Sequence, residues 1–421
     1  MTDLLRDQYE AYPYPARDPA DERRRLILGS PSNLPEVNHY LFAGRRDFAQ
    51  GFRALVGGGG TGDATIMLAQ QLADAGTAGR VTYLDLSTAS RRIAEARAKA
   101  RGLKNITFLT GSLLDPPPEC EGPFDYIDCC GVLHHLPDPL AGLTSLRSLL
   151  AKEGGMGLML YAPLGRRGVY ETQALLRQIK KGDSLKEQVE MTRRLLDLLP
   201  ESNWLKRNPF VGDHQRSDAE LVDLLLHSQD RAFSVEEVFD LVAGAGLTIA
   251  GFIEPARYDP ATYIKDPVLW KKMEKLTWPQ QAAFAERLAG NIKTHVFYVT
   301  TAKERSVADL SERGSEDYWN IVPLFRPIED MENFGVSLAS TLRKSGFVTT
   351  NLTGLKLRLP LPRLAELIVR HTDGTRSLGK IFQELKEKDS ALEPVIFQNQ
   401  FAETYRVLNG LNFLLLKKPI S

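Results

Sequence analysis

The sequence predicts an α/β chain built on a parallel sheet, with a helical insertion and a small C-terminal module. Three observations predict it. The glycine-rich turn Gly57-Gly58-Gly59-Gly60-Thr61-Gly62 stands between an apolar run, Phe52 to Val56, and a helical pattern carried by Ala64, Met67, Leu68 and Leu72. Runs of strand character recur at 81–84, 106–109, 124–131 and 157–161, with helical stretches between most of them. That alternation means βαβ units and a parallel sheet. Amphipathic helical patterns then interrupt it between 163 and 231, after which strand and helix resume.

The bulk numbers bound the function. A chain of 421 residues holds two or three domains. Hydrophobic residues make up 43% and charged residues 25%, as in an ordinary soluble enzyme. Lys+Arg and Asp+Glu balance at 53 each. A protein that tracks phosphate backbones carries a basic excess, so nucleic acid is not the expected partner. The three cysteines, Cys120, Cys129 and Cys130, form neither a disulfide framework nor a metal-type C-x-x-C spacing. They fit a reducing cytosol, and the expected location is cytoplasmic. The first residues lack a positive region followed by an apolar core, so no signal peptide is expected. No apolar run is long enough for a membrane span.

Before the turn, Tyr9-Glu10-Ala11-Tyr12-Pro13-Tyr14-Pro15 packs three tyrosines and two prolines into seven positions. Proline stiffens such a segment and tyrosine supplies flat amphipathic surface. Two readings stay open: an arm over a site, offering hydroxyls such as that of Tyr14, or a packing segment. Glu36 to Phe48 reads as a helix.

The turn is a cofactor signal. Glycine permits φ > 0 and close approach of a ligand to the main chain, and the following helix aims free N–H groups at it. Gly57, Gly59 and Gly62 fit the G-x-G-x-x-G dinucleotide pattern; Gly58, Gly60 and Gly62 fit a G-x-G-x-G turn. The second strand ends at Asp85, 23 positions after Gly62, where a carboxylate can accept from two adjacent ribose hydroxyls. Ser87 is the expected cap of a helix over 88–101, ended by Gly102.

The series Gly58-x-Gly60-x-Gly62, Asp85-Leu86-Ser87, Gly111-Ser112, Phe124-Asp125-Tyr126-Ile127 and Val132-Leu133-His134-His135-Leu136 resembles the class I S-adenosylmethionine (SAM)-dependent methyltransferases. The resemblance implies a Rossmann-like sheet and SAM as cofactor. It implies that Gly58, Gly59, Gly60 and Gly62 pass close to the methionine part of SAM, and that Asp85, with Leu86 beside it, holds the ribose. Ser112 and Leu113 would flank the adenine, and Cys129, Cys130 and Gly131 would line the floor near the methyl group. One position departs from the family. Val56 stands where an acidic residue usually supports the amino-acid end of SAM, and Asp63 is a candidate substitute.

The candidate catalytic residues are His134, Tyr14 and Tyr161. A histidine in a catalytic-looking loop invites a general-base role, although in the resembled family this doublet is mostly structural. Asp223 and His227, four apart on a helical face, suggest a metal pair but lack a third ligand in the sequence, so no metal is expected.

The expected organisation is an N-terminal arm over 1–44, a SAM-binding domain over 45–302 with an insertion at 165–231, a linker at 303–315 and a module over 316–421. Within the insertion, helices are expected at 171–181, 184–199 and 217–228. The last module, with His371-Thr372-Asp373-Gly374 and helices at 333–344, 362–370, 378–386 and largely through 394–416, is loosely similar to winged-helix modules. The layout is loosely similar to bacterial protein lysine methyltransferases with accessory domains. The expected function is methyl transfer from SAM to a protein or peptide acceptor, ahead of a small molecule. An NAD-linked oxidoreductase, using the other glycine register, and a non-catalytic SAM-binding protein are the alternatives.

Overall fold

The computed structural model describes residues 2–76, 78–179, 182–302, 306–329, 331 and 333–419, with side chains from Arg6 onward at the N-terminus. The first residues of the expected linker, 303–305, lie outside them. The chain forms two compact units: residues 1–26, 49–246 and 289–295, and residues 27–48, 247–288 and 296–421.

Seven strands form one mixed sheet: β1 (Arg53–Gly57), β2 (Arg80–Asp85), β3 (Ile106–Thr110), β4 (Phe124–Cys130), β5 (Leu150–Tyr161), β6 (Thr248–Phe252) and β7 (Thr294–Thr300). Their order is β3-β2-β1-β4-β5-β7-β6. The pairs β1–β2, β2–β3, β1–β4 and β4–β5 are parallel, and β6–β7 is antiparallel. Strand order reverses between β1 and β4, and a crevice opens beyond the carboxyl ends of strands at such a switch point. The glycine turn lies there, at the end of β1.

In the first unit the central strands are apolar on both faces, as strands covered by helices must be. Leu55, Val56, Tyr83, Leu84, Tyr126 and Ile127 are all buried. The helix Asp63–Asp74 buries Ile66, Leu68 and Leu72. The helix Thr88–Arg101 has the expected ends: Ser87 accepts from the Ser90 N–H, and Gly102 closes it at φ 75°. β5 begins at Leu150, earlier than the expected 157, because its leading residues include Leu150 paired with Phe124.

The insertion contains helices Val169–Ile179, Leu185–Leu198 and Trp204–Arg207, packed through Val169, Leu176, Val189 and Leu205. Tyr12 packs against the same cluster. The helix expected at 217–228 is instead one turn, Asp218–Leu221, followed by a π-helical turn, Val222–Leu226. All five residues of the π-turn are buried, so no solvent face exists for a regular amphipathic helix to present. Such bulges recur at functional sites. After the insertion, Ser234 and Glu237 form a complete capping box on the helix Val235–Gly244. Ser234→Ala is expected to cost about 1 kcal/mol in urea unfolding.

In the second unit the helix Leu34–Leu41 stops before the expected Phe48. Ala43 and Gly44 take positive φ (50° and 77°), and a Cβ at Gly44 would lie 2.8 Å from the Leu416 carbonyl oxygen. Only glycine allows that approach. β8 (Val322–Phe325) pairs antiparallel with β11 (Leu414–Lys417), and β9 (Phe347–Leu352) with β10 (Leu355–Pro360). The β9–β10 turn is Thr353-Gly354, with φ of 53° and 82°, as a tight hairpin requires. The helix expected through 416 runs from Pro394 to Gly410 only. Asn412 at φ 57° turns the chain, and the apolar run Leu414–Leu416 becomes strand because β8 offers a ladder. Ile368, Ile381, Phe397 and Phe401 are buried in this part of the core.

Candidate active site

A cavity of about 400 Å³ opens in the first unit at the carboxyl ends of β1, β2 and β4. Its inner wall is the turn. Gly58 and Gly60 take φ of 75° and 50°. A Cβ on Gly58 would run into the side chain of Val132, one on Gly59 into the ring of Tyr83, and one on Gly60 would come 2.7 Å from the Tyr14 carbonyl oxygen. The space a side chain would need is filled by the protein itself, so only glycine fits here, and the three residues put their backbone on the cavity wall. Asp85 holds the turn in shape: its two oxygens accept from the Gly60 and Ser87 N–H groups, each at 2.8 Å. Burial pushes the Asp85 carboxyl up, against the hydrogen bonds that lower it.

Gly58, Gly59, Gly60, Asp63, Asp85, Leu86, Ser112, Leu113, Cys130 and Gly131 all line the cavity. Gly62 and Cys129 do not. Gly62 caps the helix at φ 105°, close to Ala94. Cys129 is buried on β4, pointing to the opposite face from Asp128 and Cys130, which line the cavity. Of the catalytic candidates, Tyr14 and Tyr161 line the cavity and His134 does not. The His134 ring is fully buried, centred 3.8 Å from the Tyr161 ring and 4.2 Å from that of His135. Burial pushes it well below the ordinary histidine range, so it is neutral. The cavity wall carries His135 instead, which also stays neutral, pushed by burial down to about 3.

Asp63 is already committed. Arg17 bonds it at 2.6 Å and Arg97 at 2.6 Å. Burial alone would raise its carboxyl, but the two guanidiniums outweigh that and hold it below the usual range. Asp128 is the carboxylate that residue spacing could not reveal. It is paired in register with Val56 on the neighbouring strand and lines the same cavity. Parallel partners point the same way, so an acidic side chain stands one strand over from the departed position.

The N-terminal arm lies over the turn. Thr61 donates from its N–H to the Tyr14 carbonyl (3.2 Å) and from its hydroxyl to that of Pro15 (2.7 Å). Ser87 donates to the Tyr9 carbonyl (3.1 Å), and Glu10 accepts from Thr88 and Ala89 at the start of their helix. This places Tyr9 and Tyr14 on the cavity wall.

The outer wall comes from the insertion. Asp213, Glu220 and Asp223 line it, as do Arg166 and Gln229, and Lys293, just before β7, joins them. Asp223 accepts from Tyr9 through one oxygen and from Tyr161 through the other, both at 3.2 Å. Arg166 lies 3.6 Å over the Tyr161 ring and pairs with Asp230 at 3.3 Å. Spacing alone showed Asp223 and His227 as a pair; the fold adds His135 and Tyr9 from distant parts of the chain.

Among the described residues His135, Asp223 and His227 bring ligand-type atoms within 4.8 Å of one another. Their hydrogen bonds do not suit an ion. The His227 Nδ1 accepts from the Gln229 N–H at 3.1 Å, which assigns the hydrogen to Nε2, on the side of Tyr9. The His135 and His227 rings are stacked, 3.7 Å apart at 18°, and the His135 Nδ1 is engaged by the Gln229 carbonyl at 2.9 Å. A second group, His134, His135 and Asp230, shares the carboxylate with Arg166 and Gln173.

The order β3-β2-β1-β4-β5-β7-β6, with its antiparallel β6–β7 pair, is that of the class I methyltransferase fold, and the glycine turn and Asp85 stand at its β1–β4 switch point. Residues 55–156 match the family described as methyltransferase domain. The chain therefore carries a class I SAM-dependent methyltransferase domain. It is 32% identical over 272 residues to an uncharacterized Synechococcus protein, covering 62% of each chain. It is 32% identical over 116 residues to a demethylmenaquinone methyltransferase of Geobacillus stearothermophilus, covering 28% of this chain and 47% of that one. The chain thus spans less than two thirds of these relatives. Its fold is shared with PKMT2 from Rickettsia typhi in complex with AdoHcy, at TM-score 0.62 and 14% identity, over 91% of this chain and 75% of that one.

Proposed function

We propose that the protein is a SAM-dependent methyltransferase whose acceptor is an amine on a protein or peptide. The observation that carries the reading is one continuous cavity, with a glycine turn and Asp85 on one side and an acidic, tyrosine-lined wall on the other.

The cavity suits the cofactor. Gly58, Gly59 and Gly60 would lie against its methionine part, Asp85 would hold the ribose, and Ser112 and Leu113 would flank the adenine. Asp128 takes over the polar support that Val56 lacks. Bound SAM supplies a methyl group on a positively charged sulfur. The chain's own residues supply place and charge. Besides Asp63, which Arg17 and Arg97 already neutralise, Asp85, Asp128, Asp213, Glu220 and Asp223 line the cavity against two basic side chains, Arg166 and Lys293. Such a wall favours cations, both a sulfonium and an ammonium-bearing acceptor. The rings of Tyr9 and Tyr14 add faces that attract a cation, while that of Tyr161 is already covered by Arg166. Holding two reactants in line supplies much of the rate in such a transfer.

The fold shared with PKMT2 of Rickettsia typhi is in keeping with a protein acceptor. The C-terminal module, with its β9–β10 hairpin and, among the described residues, five helices, would then act as a winged-helix-like recognition element for the protein substrate.

The test is incubation with methyl-tritiated SAM and total bacterial protein, followed by acid hydrolysis and amino-acid analysis. Label in N-methylated lysine is expected. Label confined to small molecules, or no label, contradicts the reading. Asp128→Asn is expected to weaken SAM binding about tenfold in calorimetry, the loss of one charge-assisted hydrogen bond.

A further inference from the structure

We propose that Asp223 is the base of this site: it binds the acceptor as an ammonium and takes its proton. The inference rests on the amine reading above and gives it a specific residue. In the step, an N–H bond of the acceptor breaks, its electron pair stays on nitrogen as the lone pair, and the proton forms an O–H bond on Asp223.

Position comes first. Asp223 lines the cavity yet is itself buried, on the π-turn that interrupts the insertion helix. Both of its oxygens are held, by Tyr9 from the arm and Tyr161 from the end of β5. The direction of these bonds follows from the network. His227 Nδ1 is an acceptor for the Gln229 N–H, so its Nε2–H faces the Tyr9 oxygen at 3.2 Å. Tyr9 then has its own hydrogen free to donate to Asp223. His227 and Tyr9 are positioning residues: they aim a donor at the carboxylate and take no proton.

Electrostatics agrees with that role. Burial pushes the Asp223 carboxyl up, and the Asp230 charge adds to this; Arg166 and the two tyrosine hydroxyls pull it down. The balance leaves it raised to about 6. His135 and His227, on the remaining sides, are held neutral by burial. Asp223 is therefore ionised at neutral pH and basic enough to take a proton, as a general base should be.

The test needs no natural acceptor. The probe is n-butylammonium, the lysine side chain without its backbone, titrated by calorimetry into the protein saturated with S-adenosylhomocysteine. The wild type is expected to bind it with constant affinity near pH 7.5. Below about pH 6 the affinity falls about tenfold per unit as Asp223 takes up one proton. Asp223→Asn is expected to bind it 10- to 100-fold more weakly, with no such pH dependence. Tyr9→Phe removes a hydrogen bond to the carboxylate and is expected to move the midpoint upward, which a packing role would not do.

Equal affinity in Asp223→Asn, a flat wild-type profile, no binding, or an unmoved midpoint in Tyr9→Phe overturns the assignment. Failure to bind S-adenosylhomocysteine is a separate result, against the methyltransferase reading. The n-butylammonium titration is then read on the unliganded protein by the same criteria.

Discussion

Gly58→Val abolishes measurable SAM binding at micromolar protein, while Gly212→Ala leaves it unchanged. Two costs add at position 58. Its φ of 75° is a left-handed conformation that costs a side-chain-bearing residue about 1–2 kcal/mol. Its new Cβ also runs into Val132, which lines the cavity, and overpacking of that kind costs about 1–3 kcal/mol. Either the turn relaxes out of its ligand-bearing shape or Val132 moves into the space the ligand needs. The sum, about 2–5 kcal/mol, corresponds to roughly 30- to 4,000-fold in affinity. Gly212 has no atom within 4 Å of its added Cβ and no positive φ, so it reports the effect of a glycine change alone. Calorimetry with SAM on both variants measures the contrast.

Arg97→Met lowers stability by about 3–5 kcal/mol, the cost of removing one partner from a buried ion pair. Arg97 is among the largest fully buried side chains of the described residues, 1% exposed. It bonds Glu22 at 2.6 Å, Asp63 at 2.6 Å and the Thr61 carbonyl at 2.9 Å. Methionine fills much of the volume but leaves the buried Glu22 carboxylate with Arg101 alone. The pH dependence has a definite sign. The Asp63 carboxyl is depressed in the folded protein, so its contribution is present above the ordinary carboxylate value and is lost as pH falls through its folded value. The gap between wild type and Arg97→Met in urea unfolding therefore narrows in acid.

Much of the sheet was legible because its signals are local. The strand–turn–helix at 52–72, the Ser87 cap and the Gly102 stop are each written in a few neighbouring residues, and the structure places them within a residue or so of expectation. The misses share one cause, which is long-range pairing. Leu414–Leu416 reads as the end of an apolar helix until β8 supplies a partner. Val222–Leu226 reads as one face of a regular helix until burial on every side is known. The site divides the same way. The Gly58–Gly60 turn and Asp85 stand next to the signals that mark them. Asp128 becomes visible only through its register with Val56, and Tyr9 only once the arm is laid over the turn. The His134-His135 doublet was legible as a motif, but which ring faces the cavity depends on the short helical turn Leu133–His135 and the packing of Tyr161.

The central claim is that the turn and Asp85 form a SAM site. Calorimetric titration with SAM, on the wild type and on Asp85→Ala, tests it most directly. The account predicts one site per chain in the wild type and its loss in Asp85→Ala, with NAD giving no heat in either. Equal binding of SAM by both proteins, or binding of NAD in its place, would contradict it.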